Sequence, residues 1–397
     1  MGWSPFRLTG LTYKDSRSSG GYTLIASIGG DAVYLLDETG RVVHIWKVPG
    51  FQPGYGYILP GGNLLVRGQP LIETGVGVGE PAGSADILLE LDWESKEIWR
   101  WESKVFHHDM CRLPNGNTLV LVWELVPENL IPRIKGGLTP EMVEWFNSEP
   151  DFRSMVLQGM GVGGRPRLQG MLTDAVWEID PAGKQVHIWH AYDHLDPETD
   201  RICPLCFPGE WSHANAVQAS PDGRKVLLSF RELSLVMIIS WPDGDIKWKW
   251  GRPFISHQHD PTFTSDENVL IFDNGTHHPV QGKTRIVEVS TKTNEVIWQY
   301  LPSPVFSLLS GHIGGCERLA NGNTLICEGE SGRILEVTSE GEICWEWNSP
   351  FVFDFKGVKN VQIFRAHRYE ADWPELKGRG TLDPGEFKEF NKKWGLD

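Results

Sequence analysis

Cysteine is scarce in this sequence, with six in 397 residues, too few for disulfides to frame a chain of this length. Four of them, Cys111, Cys316, Cys327 and Cys344, fall in apolar strand-like runs, where a thiol packs as a small hydrophobe. The other two, Cys203 and Cys206, form a single CxxC in the Pro-flanked loop Arg201–Phe207. With no second CxxC to complete a zinc site, the pair reads as a loop disulfide or two plain thiols, with a zinc half-site as the alternative. Long apolar runs are missing as well: no stretch reaches the roughly 18 residues of a membrane span, and Met1–Gly10 lacks a basic region leading into an apolar one. The expectation is a soluble chain, cytoplasmic as it stands and periplasmic if a leader has been removed. Clustered Lys and Arg are also lacking, and 37 basic against 52 acidic residues give a formal charge of −15. That excludes nucleic acid and anionic membranes as partners, because both are bound through basic patches. A small molecule is expected instead.

Apolar material is plentiful, with 40% hydrophobic residues and 18 tryptophans. A phrase recurs six times: a Pro-Asn-Gly-Asn type of turn, an apolar strand, a second strand, a short polar turn, and a strand ending in Trp. The strand-ending residues are Trp46, Trp99, Trp189, Trp248, Trp298 and Trp345, each just after a turn such as Glu38–Gly40, Pro242–Gly244 or Ser339–Gly341. Short strands joined by Gly/Asn/Asp turns make antiparallel hairpins, and a repeat of about 45 residues with four strands is a propeller blade. The prediction is therefore all-β: a six-bladed β-propeller of four-stranded antiparallel blades, one domain over 1–397, with the tryptophans filling the wedges between blades. The blades read as 5–50, 51–103, 104–195, 209–251, 254–301 and 306–350. An insertion over about 125–172 in the third blade, helix-like at Thr139–Asn147 and Gly/Arg-rich at Gly159–Gly170, reads as a lid or a contact in a homo-oligomer. A C-terminal extension, 351–397, carries one strand, Asn360–Tyr369, able to complete or pack on a terminal blade.

Aligning the innermost strands on their turns, Asn115, Asp222, Asp266 and Asn321, exposes a register. Seven and nine residues upstream stand His108 and Phe106, Asn215 and His213, His259 and His257, and Gly314 and His312. Side chains alternate across a strand, so these positions share a face, and at the mouth of innermost strands that face looks into the central channel. Five of the 13 histidines thus converge from four blades. The plain alternative is a set of histidines plugging a hydrated channel. Arg231, ending the strand Val226–Phe230, is costly among apolar neighbours unless it meets an anion; it clamps an oxyanion or pairs with Glu124, Glu232 or Glu328. His44, His187, His190 and His194 lie near outer strand ends and read as structural. His277 and His278 follow the Asp273-Asn274-Gly275 turn and approach the channel. Trp211, Phe106, Phe254 and Phe263 read as core residues or as aromatic walls for a ring-shaped substrate.

Converging imidazoles serve two chemistries. One is a divalent transition metal held by His108, His213, His257, His259 and His312 in a lyase, hydrolase or oxidoreductase, with Asp109 or Asp260 behind the ligands. The other is metal-free, with one histidine as nucleophile and the rest, with Arg, binding a transferred anion. A non-catalytic rim-binding scaffold has no use for such a ring. The combination His213-Ala214-Asn215, Arg231 eighteen residues later, and Gln258-His259 leading to Phe272-Asp273-Asn274-Gly275 resembles the bacterial arylsulfotransferase family over about 20–370. The resemblance implies a six-bladed propeller that moves a sulfuryl group from a phenolic sulfate to a phenol, with no nucleotide donor and no cofactor. It implies His259 as the nucleophile and His108, His213, Asn215 and Arg231 as groups that bind the sulfuryl oxygens and assist proton transfer. His257, His312, Phe106 and Trp211 are then candidate substrate contacts. His257 and His312 are additions to the family's pattern.

Overall fold

The computed structural model describes residues 8–48, 50–70, 83–148, 170–278, 282–355, 358–379 and 382–396. Its strands form six four-stranded antiparallel sheets in chain order, one of them with a fifth strand, and the fold is the six-bladed β-propeller that the repeat predicts. The chain divides into two compact units, residues 1–71, 88–100 and 298–397 in one, and 72–87 and 101–297 in the other.

The second unit holds the third, fourth and most of the fifth sheet. From inner to outer strand these are Phe106–Arg112, Thr118–Leu125, Leu172–Ile179 and Gln185–His190; Ala214–Ala219, Lys225–Phe230, Leu235–Ser240 and Ile246–Gly251; and His259–Ser265, Asn268–Asp273, Arg285–Ser290 and Val296–Tyr300. The middle strands are apolar on both faces, as in Lys225–Phe230 and Leu235–Ser240, where nearly every residue is buried. A strand covered on both sides has no solvent face to alternate with. The outer strands alternate, as in Ile246–Gly251, because one face meets water.

In the first unit both ends of the chain are stitched into sheets. The inner strand of the first sheet is Ile363–Tyr369, pairing with Tyr22–Ser27 from Tyr22 opposite Tyr369 to Ser27 opposite Ile363. The strand Gly10–Lys14, read from sequence as part of the first blade, instead adds to the outer edge of the sixth sheet, with Gly10 opposite Asn348 and Lys14 opposite Trp345. A local pattern shows that a segment is a strand, but not which open edge its backbone groups will satisfy. The rest of the C-terminal extension packs Phe390 and Trp394 onto Phe351, with ring centroids 6.1 and 5.1 Å apart. In the insertion, the predicted helix is present as Pro140–Ser148, with the Thr139 hydroxyl accepting from the Met142 N–H at 3.4 Å. Apart from Gly170, the Gly/Arg-rich stretch lies outside the described residues. Among the described residues, no helix is long and apolar enough to cross a membrane.

The repeated tryptophans do more than fill wedges. The indole N–H of Trp189 donates to the Gly244 carbonyl at 3.2 Å, that of Trp248 to Asn294 Oδ1 at 2.7 Å, and those of Trp46, Trp298 and Trp345 to the carbonyls of Asp92, Ser339 and Glu38 at 3.1, 2.7 and 2.8 Å. In every case the acceptor lies in the polar turn of the next sheet in the series, the sixth returning to the first. Trp345 is fully buried and also carries the Arg368 guanidinium over its ring at 4.7 Å. Replacing Trp345 by Phe removes the N–H but keeps much of the ring, for an expected loss of about 0.5–1.5 kcal/mol. Trp345→Ala also opens a cavity and is expected to cost about 3–5 kcal/mol. Thermal unfolding of both variants checks the order; equal losses would show that ring volume alone matters there.

Candidate functional site

The histidine register sits where the inner strands break their own regularity. In the third sheet the pairing slips between Val120 and Leu121, so that His108 and Asp109 bulge out. In the fourth it slips at Asn215, and in the fifth between His259 and Thr262. His108, His213, His257 and Asp260 all have positive φ, between 47° and 55°, a conformation that costs a non-glycine residue about 1–3 kcal/mol unless its surroundings hold it. A bulge re-aims the side chains around it. Strict alternation therefore fails at these positions, and the residues read as sharing one face part company. Phe106 is fully buried and packs edge-on against Trp101 at 5.5 Å. Trp211 is fully buried too, its N–H donating to the Asp200 carbonyl at 2.8 Å. Neither ring presents a face to solvent. Phe254 stacks on Trp250 at 5.5 Å with its other side exposed, and Phe263 packs on the core of the fifth sheet.

His108 and His213 do meet, with ring centroids 4.7 Å apart. Both are held from behind. His108 Nδ1 is 2.8 Å from Nδ1 of His107, which stacks on Trp123 at 4.4 Å and has Asp174 Oδ1 3.2 Å from its Nε2. The other Asp174 oxygen accepts from the Ser212 hydroxyl and the Ala214 N–H. His213 Nδ1 bonds to the buried Glu210 carboxylate. A carboxylate can only accept here, so His213 keeps its proton on Nδ1 and offers Nε2 for chemistry.

Arg231 pairs with the buried Glu232 at 2.7 Å. Of the other two carboxylates able to pair with it, Glu124 is taken by His190 at 2.7 Å and Glu328 by Arg333 at 3.5 Å. Burial would push the Glu232 carboxyl up, but Arg231, then His213 and His257, outweigh burial and leave it below its usual range. Glu210, His213 and Glu232 also place ligand-type atoms within 4.8 Å of one another.

His259, almost wholly buried, points Nδ1 at two acceptors, Asn274 Oδ1 at 2.8 Å and the His257 carbonyl at 3.2 Å. A carbonyl cannot donate, so in the neutral ring the proton is on Nδ1 and the lone pair is on Nε2. The residue before it, Gln258, locks the strand start to the fourth sheet. Its side-chain amide donates to Ser229 Oγ, Phe230 O and Leu235 O at 2.9, 3.2 and 3.0 Å, and the Gln258 backbone carbonyl accepts from Asn215 Nδ2 at 2.8 Å.

His257 turns elsewhere. Its Nε2 is 3.3 Å from Cys206 Sγ, and His277 Nδ1 is 3.5 Å from the sulfurs of both Cys203 and Cys206. Both thiols are free, so of the two plain readings of the CxxC, a loop disulfide or two thiols, the structure has the second. A hydrogen bond from Cys206, aided by His257 and His277 against burial, pulls the Cys203 thiol far below its usual range, while Cys206 is driven up. Burial, then Arg231, push His257 down to about 4, so its imidazole is neutral at pH 7. His312 lies in the other unit, bonded through Nδ1 to Glu330. No three of the five histidines proposed as metal ligands share a group of ligand atoms; among the described residues, His257 groups with Cys203, Cys206 and His277, and His213 with Glu210 and Glu232.

Several partners escaped the sequence reading. Glu210 stands three residues before His213, and Asn274 lay in a motif already noted, so both carried a signal. Asp174 and His107 carried none. Gly83 was also invisible: at φ +90° it lies so close over His108 that a Cβ would come within 2.0 Å of the imidazole Cε1. Gly83→Ala is therefore expected to displace His108 and lower the melting temperature, with a strain on the order of 1–3 kcal/mol. A thermal scan and a crystal structure of the variant check this; an unmoved His108 at unchanged stability would refute it.

Residues 154–350, just short of half the chain, match the arylsulfotransferase (ASST) family. No curated protein matches. Among solved structures, a protein of unknown function from Bacteroides caccae superposes with a TM-score of 0.51 at 12% identity, over 88% of this chain and 98% of that one. A streptogramin B lyase (TM-score 0.44, 12% identity, 86% and 87% covered) and a virginiamycin B lyase from Staphylococcus aureus (0.41, 13%, 76% and 71%) are more distant. At these identities the likeness concerns the fold alone.

Proposed function

We propose that this chain, whose residues 154–350 match the arylsulfotransferase family, moves a sulfuryl group from a phenolic sulfate ester to a phenol through His259. The observation that carries the reading is the pair of acceptors at His259 Nδ1, which leaves the lone pair on Nε2. In the first half-reaction His259 Nε2 attacks sulfur. An N–S bond forms as the S–O(aryl) bond breaks, and the phenolate leaves with the bonding pair, taking a proton from protonated His213. In the second, an acceptor phenol returns that proton to His213 Nε2 and attacks sulfur; the N–S bond breaks and His259 recovers its starting tautomer. Glu210, bonded to His213 Nδ1, stabilises the imidazolium that this shuttle requires. The transferred group carries its charge over three oxygens, so fixed donors suit its loose transition state. His108 and Asn215 are assigned that work. Arg231 contributes from beside Glu232, which takes up part of its charge.

The scheme is a double displacement. A chromogenic aryl sulfate with varied phenol acceptor is expected to give parallel double-reciprocal plots, and donor alone to leave an enzyme heavier by one SO3 group. His259→Ala should abolish both at nearly unchanged melting temperature; undiminished turnover would sink the assignment. Glu210→Gln is expected to lower kcat by about 10²–10⁴-fold, the usual worth of a positioned acid–base group, and to shift the pH profile. An unchanged profile would remove Glu210 from the proton path.

A further inference from the structure

We propose that Cys203, Cys206, His257 and His277 bind one zinc ion in a closed tetrahedral site that ties the 201–208 loop to the strand bearing His259. The four ligand atoms, two Sγ, His257 Nε2 and His277 Nδ1, all lie within 4.8 Å of one another. Zinc holds thiolate sulfur at about 2.3 Å and imidazole nitrogen at about 2.0–2.1 Å, so a sulfur–nitrogen edge of its tetrahedron is about 3.6 Å. Three of the four such edges here measure 3.3, 3.5 and 3.5 Å, and the fourth, Cys203 Sγ to His257 Nε2, lies within 4.8 Å. An ordinary S–H···N hydrogen bond accounts for one close pair. It does not account for a single nitrogen, His277 Nδ1, standing equally far from two sulfurs while a second imidazole closes on one of them. Two sulfurs and two nitrogens in a tetrahedron select zinc among the common divalent ions.

The backbone is shaped for the purpose. The Cys206 N–H donates to the Cys203 carbonyl at 2.9 Å, closing a turn that sets both sulfurs on one side, and the Cys203 N–H donates to the Glu232 carbonyl at 2.8 Å. His257 and His277 both have positive φ, 55° and 61°, the kind of conformation kept where a site demands it. Cys203, Cys206 and His257 are buried, while His277 is partly exposed and marks the side from which an ion enters. Two thiolates neutralise a divalent cation, so the loaded site adds no net charge beside Arg231 and Glu232. Four protein ligands leave no open position, which makes the site structural rather than catalytic. What it holds is nevertheless next to the chemistry: His257 is two residues before His259, and its carbonyl is one of the two acceptors that fix the His259 tautomer.

The test does not depend on turnover. The full-length protein, purified reduced and without chelator, or reloaded with zinc, is expected to hold one zinc per chain by plasma mass spectrometry, and its cobalt form to show thiolate-to-cobalt charge-transfer absorption. His277→Ala and the double variant Cys203→Ser/Cys206→Ser should lose both signals. A strong chelator should lower the melting temperature of the wild type and leave that of the double variant unchanged, which separates lost binding from lost folding. The proposal is overturned if the reduced wild type takes up no zinc, if the double variant retains stoichiometric metal, or if the native protein isolates with Cys203 and Cys206 joined as a disulfide.

Discussion

The indole N–H of an outer-strand tryptophan bonded into the turn of the following sheet, as at Trp189 and Trp248, is the contact on which the site depends. Trp189 reaches Gly244 and Trp248 reaches Asn294, so within the second unit the third, fourth and fifth sheets are fixed edge to edge. Each buried indole adds roughly a hydrogen bond to the large apolar area that it takes from water. Adjacent sheets held in this way bring their inner strands together, and with them His108 beside His213 and Gln258 against the fourth sheet. The histidine cluster at the strand mouths is thus supported by packing at the outer edge.

At those mouths the structure accepts local cost. Three inner strands bulge and three histidines take up positive φ. Buried carboxylates stand beside them, where charge without a partner is expensive. The cost is met by pairing. Glu232 has Arg231, Glu210 has His213, and Asp174 has Ser212, the Ala214 N–H and His107. The Glu210 carboxylate thereby fixes His213 in tautomer and orientation.

His257 illustrates why neighbours in a register need not be neighbours in role. Two residues from His259, it was expected on the same face. Its positive φ instead sends the ring to Cys203, Cys206 and His277, making it part of a cluster drawn from three separate stretches of chain. In sequence the CxxC lacked a second CxxC, because its complement consists of single histidines 51 and 71 residues beyond Cys206.

The sequence alone determined the architecture. The six tryptophan-ended phrases stated the number of blades, and turn chemistry stated where their hairpins close, because both are local signals repeated at fixed spacing. It also singled out His108, His213, Asn215, Arg231 and His259 as candidates, through one register and one resemblance. Only the tertiary structure decided which edges Gly10–Lys14 and Ile363–Tyr369 join, since an unsatisfied strand edge has no sequence signature. It alone decided that Phe106 belongs to the core, that Glu232 rather than Glu124 or Glu328 answers Arg231, and that Asp174, Glu210, Asn274 and Gly83 set the imidazoles. Those outcomes turn on bulges and close approaches. A single displaced residue there reverses a side chain's direction, and a period-two pattern cannot register it.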